Sequence, residues 1–185
     1  SEGRDKVCGD GLTPRAIAAL QDLDINIDGV HKITGLRMIA GKTRRELKWP
    51  GGGSFPSYGA VWTRKELDSH LLESATQAGA KIFYETEALP NFSGERVTGV
   101  TSGSDTWSAE LVVAASGAPG KVARMLGTER KTDEPYGIAI RTYVESPRHA
   151  DEYLEASLAM RDSNGIPIPG YGWMFPTGNG TVNLG

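Results

Sequence analysis

Apolar positions Ile17, Leu20 and Leu23 recur at helical spacing early in the chain, with Pro14 at a favoured first helical position and Thr13 as N-cap. That pattern predicts a helix from residue 14. From residue 29 to 49 the pattern is extended: Ile33, Leu36, Met38 and Ile39 lie between glycines, and a basic stretch, 42–48, follows. This reads as two strands of an antiparallel sheet. The clearest element comes after a glycine-rich loop at 50–59. Thr63 and Glu66 fit a capping box, Leu67, Leu71, Leu72, Ala75 and Ala78 form one stripe, and Gly79 sits where a helix C-terminal cap belongs.

Beyond that helix, residues 81–85 read as a strand, 96–101 as a β-rich run and 111–115 as a continuous apolar strand of the buried central kind. A glycine-rich turn, 116–120, leads to a short helix through Leu126. After Pro135 the signal is extended again at 138–144, and 153–160 fits either a helix or a strand. Segments 171–175 and 181–184, joined through Gly178-Asn179-Gly180, predict a hairpin. Helix-strand units at 63–126 thus interrupt two antiparallel stretches. A simple doubly wound sheet does not produce that order, whereas two interleaved domains do.

Composition narrows the function classes. The 185 residues are 38% hydrophobic and 23% charged with a net charge of −3, and the mean hydropathy is −0.34. No run long enough to span a membrane is present, and the mixed, mildly acidic charge argues against nucleic-acid binding. One cysteine, Cys8, precludes an internal disulfide, and the isolated histidines His31, His70 and His149 offer no metal cluster. Gly41-Lys42-Thr43 ends like a phosphate-binding loop, but Leu36 stands where that loop needs glycine. No G-x-G-x-x-G occurs.

Two segments carry candidate chemistry. Around Cys8, the glycines Gly9 and Gly11 allow a backbone to lie flat against a planar ligand, and the following helix points its N-terminal N–H groups toward the loop. That field would also lower the thiol pKa. The simpler reading is a turn before a helix with a small buried cysteine. In Gly170-Tyr171-Gly172-Trp173-Met174-Phe175-Pro176, alternation places three rings on one strand face and leaves the glycine side bare. An aromatic wall of this kind suits an apolar or planar ligand. A sandwich core strand is the simpler alternative.

Together these segments resemble the geranylgeranyl reductase family of flavoproteins, within the p-hydroxybenzoate hydroxylase-like fold. The resemblance rests on Arg4-Asp5-Lys6-Val7-Cys8-Gly9-Asp10-Gly11-Leu12-Thr13-Pro14, on Arg64 with Leu67-Asp68, on Leu111-Val112-Val113-Ala114-Ala115-Ser116-Gly117-Ala118, and on Tyr171-x-Trp173-x-Phe175-Pro176. Many relatives have Ala-Asp-Gly where this chain has Ala115-Ser116-Gly117.

The resemblance implies a mixed α+β and α/β architecture, with a partial FAD-binding domain (1–28 and 60–128) interleaved with an antiparallel-sheet substrate domain (29–59 and 129–185). It implies FAD as cofactor and a polyprenyl lipid, geranylgeranyl or menaquinone side chain, as the substrate whose C=C bonds are reduced. Cys8, Gly9 and Gly11 then match the loop beside the flavin, with Cys8 a candidate proton donor. Arg64 matches an arginine that contacts FAD, and Ala88 a backbone contact on the adenine side. Tyr171, Trp173, Phe175 and Pro176 match the lining of the isoprenoid tunnel. An unidentified electron donor, a cytoplasmic location and peripheral membrane contact follow from the same likeness. The family's glycine fingerprint and its later Gly-Asp segment are not matched, so these 185 residues are expected to read as a fragment that holds FAD weakly or not at all. Two alternatives stay open: a flavin-dependent monooxygenase or halogenase of the same fold, and a lipid-binding module without chemistry.

Overall fold

The computed structural model describes residues 5–117, 120–128, 131, 133–134, 136–185. Arg4 and Ala118 of the family motifs, Pro119 of the glycine-rich turn, and Pro135 lie outside the described residues. The chain divides into two compact units, one formed by Ile82–Tyr136 and the other by the residues through Lys81 together with Gly137–Gly185.

The larger unit contains two sheets and two helices. β1 (Gly11–Leu12), β2 (His31–Ile33) and β5 (Gly59–Val61) form a three-stranded sheet in the order β1-β5-β2. β3 (Gly35–Ala40), β4 (Thr43–Lys48), β9 (Thr142–Glu145), β10 (Tyr153–Ser157), β11 (Gly172–Pro176) and β12 (Thr181–Leu184) form a six-stranded sheet ordered β4-β3-β10-β11-β12-β9. Its pairings are antiparallel except β3 with β10, where Leu36 registers with Leu154 in parallel. The extended stretch expected as two strands is therefore three. β2 belongs to one sheet while β3 and β4 belong to the other.

α1 (Pro14–Asp22) starts as its sequence predicts, with Thr13 Oγ1 accepting from the Ala16 N–H at 3.4 Å. Ile17 and Leu20 are buried, but Leu23 lies past the helix end and is exposed. α2 (Arg64–Gln77) begins with the expected capping box: Glu66 N–H reaches Thr63 Oγ1 at 3.4 Å and Thr63 Oγ1 bonds Glu66 Oε2 at 2.6 Å. Gly79 ends the helix with φ +97°, a conformation costly for other residues. Only Leu67 of the predicted stripe is buried, where it joins Leu20 and Ile25 in one cluster. Ile33, Val61 and Leu154 form the second cluster, with Phe175 packed on it. This cluster ties the two sheets together. Burying each such side chain is worth about 1.5–3 kcal/mol.

A buried cation braces the six-stranded sheet. Arg37 on β3, 5% exposed, donates to Glu46 on β4 at 2.9 Å and to Asp151 Oδ1 at 3.0 Å, and its guanidinium lies 4.9 Å from the centre of the Tyr153 ring. Arg148 adds bonds to Asp151 at 2.9 Å and Glu155 at 2.7 Å. Burial alone would raise the Asp151 carboxyl pKa, yet the two guanidiniums hold it down at about 2.

The smaller unit holds the antiparallel sheet β6 (Leu89–Ser93), β7 (Arg96–Ser102) and β8 (Asp105–Ser108), and α3 (Lys121–Met125). Phe83 and Trp107 pack with ring centres 5.0 Å apart. Two expected strands are absent here. Residues 81–85 run into a turn in which Glu85 has φ +51°, a left-handed conformation that breaks an extended run. Residues 111–115 form no ladder, and Leu111 and Val113 are 79% and 77% exposed. An apolar run becomes a strand only when a neighbour satisfies its N–H and C=O groups, and among the described residues none pairs with this one. The run expected at 138–144 is strand only in β9, and 153–160 resolves as the strand β10. Among the described residues no helix is long and apolar enough to cross a membrane.

Candidate active site

The loop before β1 and the strand β11 meet within the larger unit. Both glycines of the loop turn their bare side onto Phe175. A Cβ on Gly9 would stand 2.6 Å from Phe175 Cε2 and 3.3 Å from Trp173 Nε1, and one on Gly11 would stand 3.0 Å from Phe175 Cε2. The space left by these missing side chains is therefore taken by the protein's own rings. The backbone of the two glycines, expected to lie bare against a planar ligand, on this side lies bare against Phe175 instead.

Tyr171, Trp173 and Phe175 form the expected row, with ring centres 6.1 and 6.5 Å apart. Their surroundings differ. Tyr171 is exposed, Trp173 is half-buried, Phe175 packs on the Ile33–Val61–Leu154 cluster and Pro176 is fully buried. Pro176 thus supports the strand and presents no surface. The glycine side of β11 is not bare: Met160 Sδ lies 2.8 Å from the position of a Gly172 Cβ. There the outer face of the six-stranded sheet carries an apolar groove of about 560 Å³ beside Met160, Met174 and Leu184.

Asp10 organises the loop. It is 2% exposed and adopts φ +65°. Its carboxylate accepts from the Arg64 N–H at 3.0 Å, the Tyr143 hydroxyl at 2.5 Å and Asn183 Nδ2 at 2.7 Å. Asn183, fully buried, also donates to the Cys8 carbonyl at 2.8 Å and accepts from Trp173 Nε1 at 2.9 Å. Burial pushes the Tyr143 hydroxyl pKa upward, and its bond to Asp10 adds to the rise. Tyr143 therefore stays a donor throughout the neutral range. Neither Asp10 nor Asn183 carried a spacing signal. The only trace was an Asp between two glycines, a residue type that tolerates left-handed backbone.

Arg64 opens α2 and is fixed by a two-pronged bond to Asp68, at 2.8 and 2.7 Å. That bond raises the guanidinium pKa against the effect of burial, and a contact with Cys8 raises it further. Cys8, a half-buried free thiol, is thereby brought beside a cation. The structure gathers Cys8, Gly9, Gly11, Arg64, Trp173 and Phe175 into one neighbourhood. Ala88 belongs to the smaller unit, half-buried just before β6.

No family model matches the chain. The chain is 41% identical over 188 residues to a menaquinone reductase of Mycolicibacterium smegmatis, covering 98% of itself and 46% of that protein. It is 28% identical over 200 residues to a chloroplastic geranylgeranyl diphosphate reductase of Oryza sativa, covering 96% of itself and 41% of the relative. The chain spans about half the length of the curated relatives it matches. Among solved structures, a geranylgeranyl bacteriochlorophyll reductase-like protein of Thermoplasma acidophilum superposes on the whole chain with TM-score 0.73 at 22% identity, using 47% of its own length. The flavin-dependent brominase Bmp2 superposes with TM-score 0.70 at 16% identity, over 46% of its length, and shares the fold. The fold is thus that of FAD-dependent oxidoreductases, a mixed α/β architecture with several antiparallel sheets. Over nearly its whole length the chain is similar to these menaquinone and geranylgeranyl reductases, the same likeness that its loop and aromatic-strand motifs carry.

Proposed function

We propose that the protein is an FAD-dependent reductase of isoprenoid C=C bonds in a polyprenyl lipid, with menaquinone's side chain the substrate that the 41% likeness favours. The observation that carries this reading is the packing of the Cys8 loop on the Trp173–Phe175 strand through Gly9 and Asn183, which puts a thiol and a cation next to an aromatic surface.

The loop fits a flavin. With the Cβ side of Gly9 and Gly11 on Phe175, the half-buried main chain of the loop, the Cys8 thiol and the Arg64 guanidinium remain as its polar contacts. A charged fork beside accessible backbone suits the polar rim of an isoalloxazine. When bound, reduced FAD supplies a hydride to one alkene carbon. A separate electron donor reduces the cofactor. Tyr171 and Trp173 give the isoprenoid an apolar face and exclude water, while Phe175 and Pro176 hold that strand rigid from behind. Cys8 Sγ–H supplies the proton to the second carbon, and the neighbouring Arg64 stabilises the thiolate left behind until solvent reprotonates it.

Product analysis by mass spectrometry tests this reading in the flavin-loaded protein that contains this chain, under reducing anaerobic conditions with menaquinone. The expected product carries two added hydrogens. An added oxygen or halogen supports the monooxygenase or halogenase alternative, and tight lipid binding without conversion supports a binding module.

A further inference from the structure

We propose that Asn183 is a positioning residue that sets the orientation of the Trp173 indole against the Cys8 loop, and so the fit of the isoprenoid to the reacting face. This inference rests on the reductase reading for the reaction it affects.

Asn183 sits on β12, in register with Phe175 on β11 and Tyr143 on β9, and is fully buried. All its hydrogen-bonding groups face elements of the site. Oδ1 accepts from Trp173 Nε1 at 2.9 Å, and Nδ2 donates to the Cys8 carbonyl at 2.8 Å and to Asp10 Oδ2 at 2.7 Å. One amide thereby fixes the indole of the aromatic strand and the carbonyl of the thiol-bearing residue in a single rigid frame. Only a carboxamide supplies this combination. A carboxylate would set a second negative charge beside Asp10, and an aliphatic side chain would leave the Trp173 Nε1–H and the Cys8 carbonyl without these partners and Asp10 with one donor fewer. Asp10 in turn holds the Arg64 N–H and the Tyr143 hydroxyl, so the frame also reaches the start of α2. A lost Nε1–H bond frees the indole to rotate, and small misplacements of an orienting group cost rate more than affinity.

The test compares four forms of the flavin-loaded protein: unsubstituted, Asn183→Ala, Trp173→Phe and the double variant. Asn183→Ala should lower the rate of isoprenoid reduction at least about tenfold per bound flavin, with less than about a threefold change in KM. In the Trp173→Phe background the same substitution should cost no further rate, because the two residues act as a unit. Trp173 emission, taken as the difference between each form and its Trp173→Phe counterpart, should shift on Asn183→Ala. A lowered melting temperature with unchanged rate per flavin overturns the proposal and assigns Asn183 to stability alone. Rate losses that simply add in the double variant overturn it as well. If the unsubstituted protein reduces no isoprenoid, the reductase reading fails. The emission shift then decides whether Asn183 orients Trp173, and an unchanged emission overturns that too.

Discussion

Gly9 lies against the edge of Phe175 so closely that a single added methyl group would stand 2.6 Å from the ring. The ring cannot simply swing away, because it packs on Ile33, Val61 and Leu154. Gly9→Ala should therefore cost about 1–3 kcal/mol of stability as an overpacked contact, measured by denaturant unfolding. Gly11→Ala, whose nearest contacts are Phe175 and Leu154 at 3.0 and 3.1 Å, should cost less. Equal, negligible effects at both positions would show that the loop and the strand are not in this contact.

Asp10 combines left-handed backbone with a carboxylate that three donors share. Asp10→Ala should lose about 3 kcal/mol or more, since it leaves the Tyr143 hydroxyl and the Asn183 amide without this acceptor and strains φ. Asp10→Gly relieves the backbone yet removes the same bonds. It should still be clearly less stable than the unsubstituted protein in thermal unfolding, and full stability would contradict the network's role.

The Arg37–Asp151 contact predicts an acid limb in stability. The Asp151 carboxyl falls from 3.8 to about 2 in the folded protein. A depressed carboxyl contributes fully above its unfolded value, and the contribution fades as pH falls from about 4 through about 2. The amount is about 2 kcal/mol. Asp151→Asn should lower stability near neutral pH and flatten its dependence between about pH 4 and 2, as read from unfolding free energies across that range. An unchanged slope would contradict the assignment.

These 185 residues contain no G-x-G-x-x-G to cradle a pyrophosphate. On their own they should hold FAD weakly, leaving little visible flavin absorbance after purification and gel filtration. A stoichiometric flavin spectrum would show that the Cys8 loop and Arg64 anchor the cofactor without that turn.

What the sequence disclosed was local. Thr13 and the Thr63–Glu66 pair announce their helices through short-range capping, and Asn179-Gly180 announces the β11–β12 hairpin, because these signals depend on residues a few positions apart. The β3–β10 pairing joins Gly35 to Tyr153 in parallel, and no local pattern encodes such a distant partner. The same gap explains the runs at 81–85 and 111–115, where apolar content is present but, among the described residues, no partner strand is. At the site, the glycines and rings stood out by clustering. Asp10 and Asn183 did not, since a lone polar residue becomes a hub only when strands far apart in the chain converge on it.

The most direct measurement of the central claim, that the Cys8 loop and the aromatic strand form one reactive site, is the rate at which isoprenoid lipid reoxidises the reduced flavin in rapid-mixing experiments. Cys8→Ala should slow this step by about tenfold or more while leaving reduction of the flavin by its donor nearly unchanged. Equal slowing of both steps, or of neither, would contradict the account.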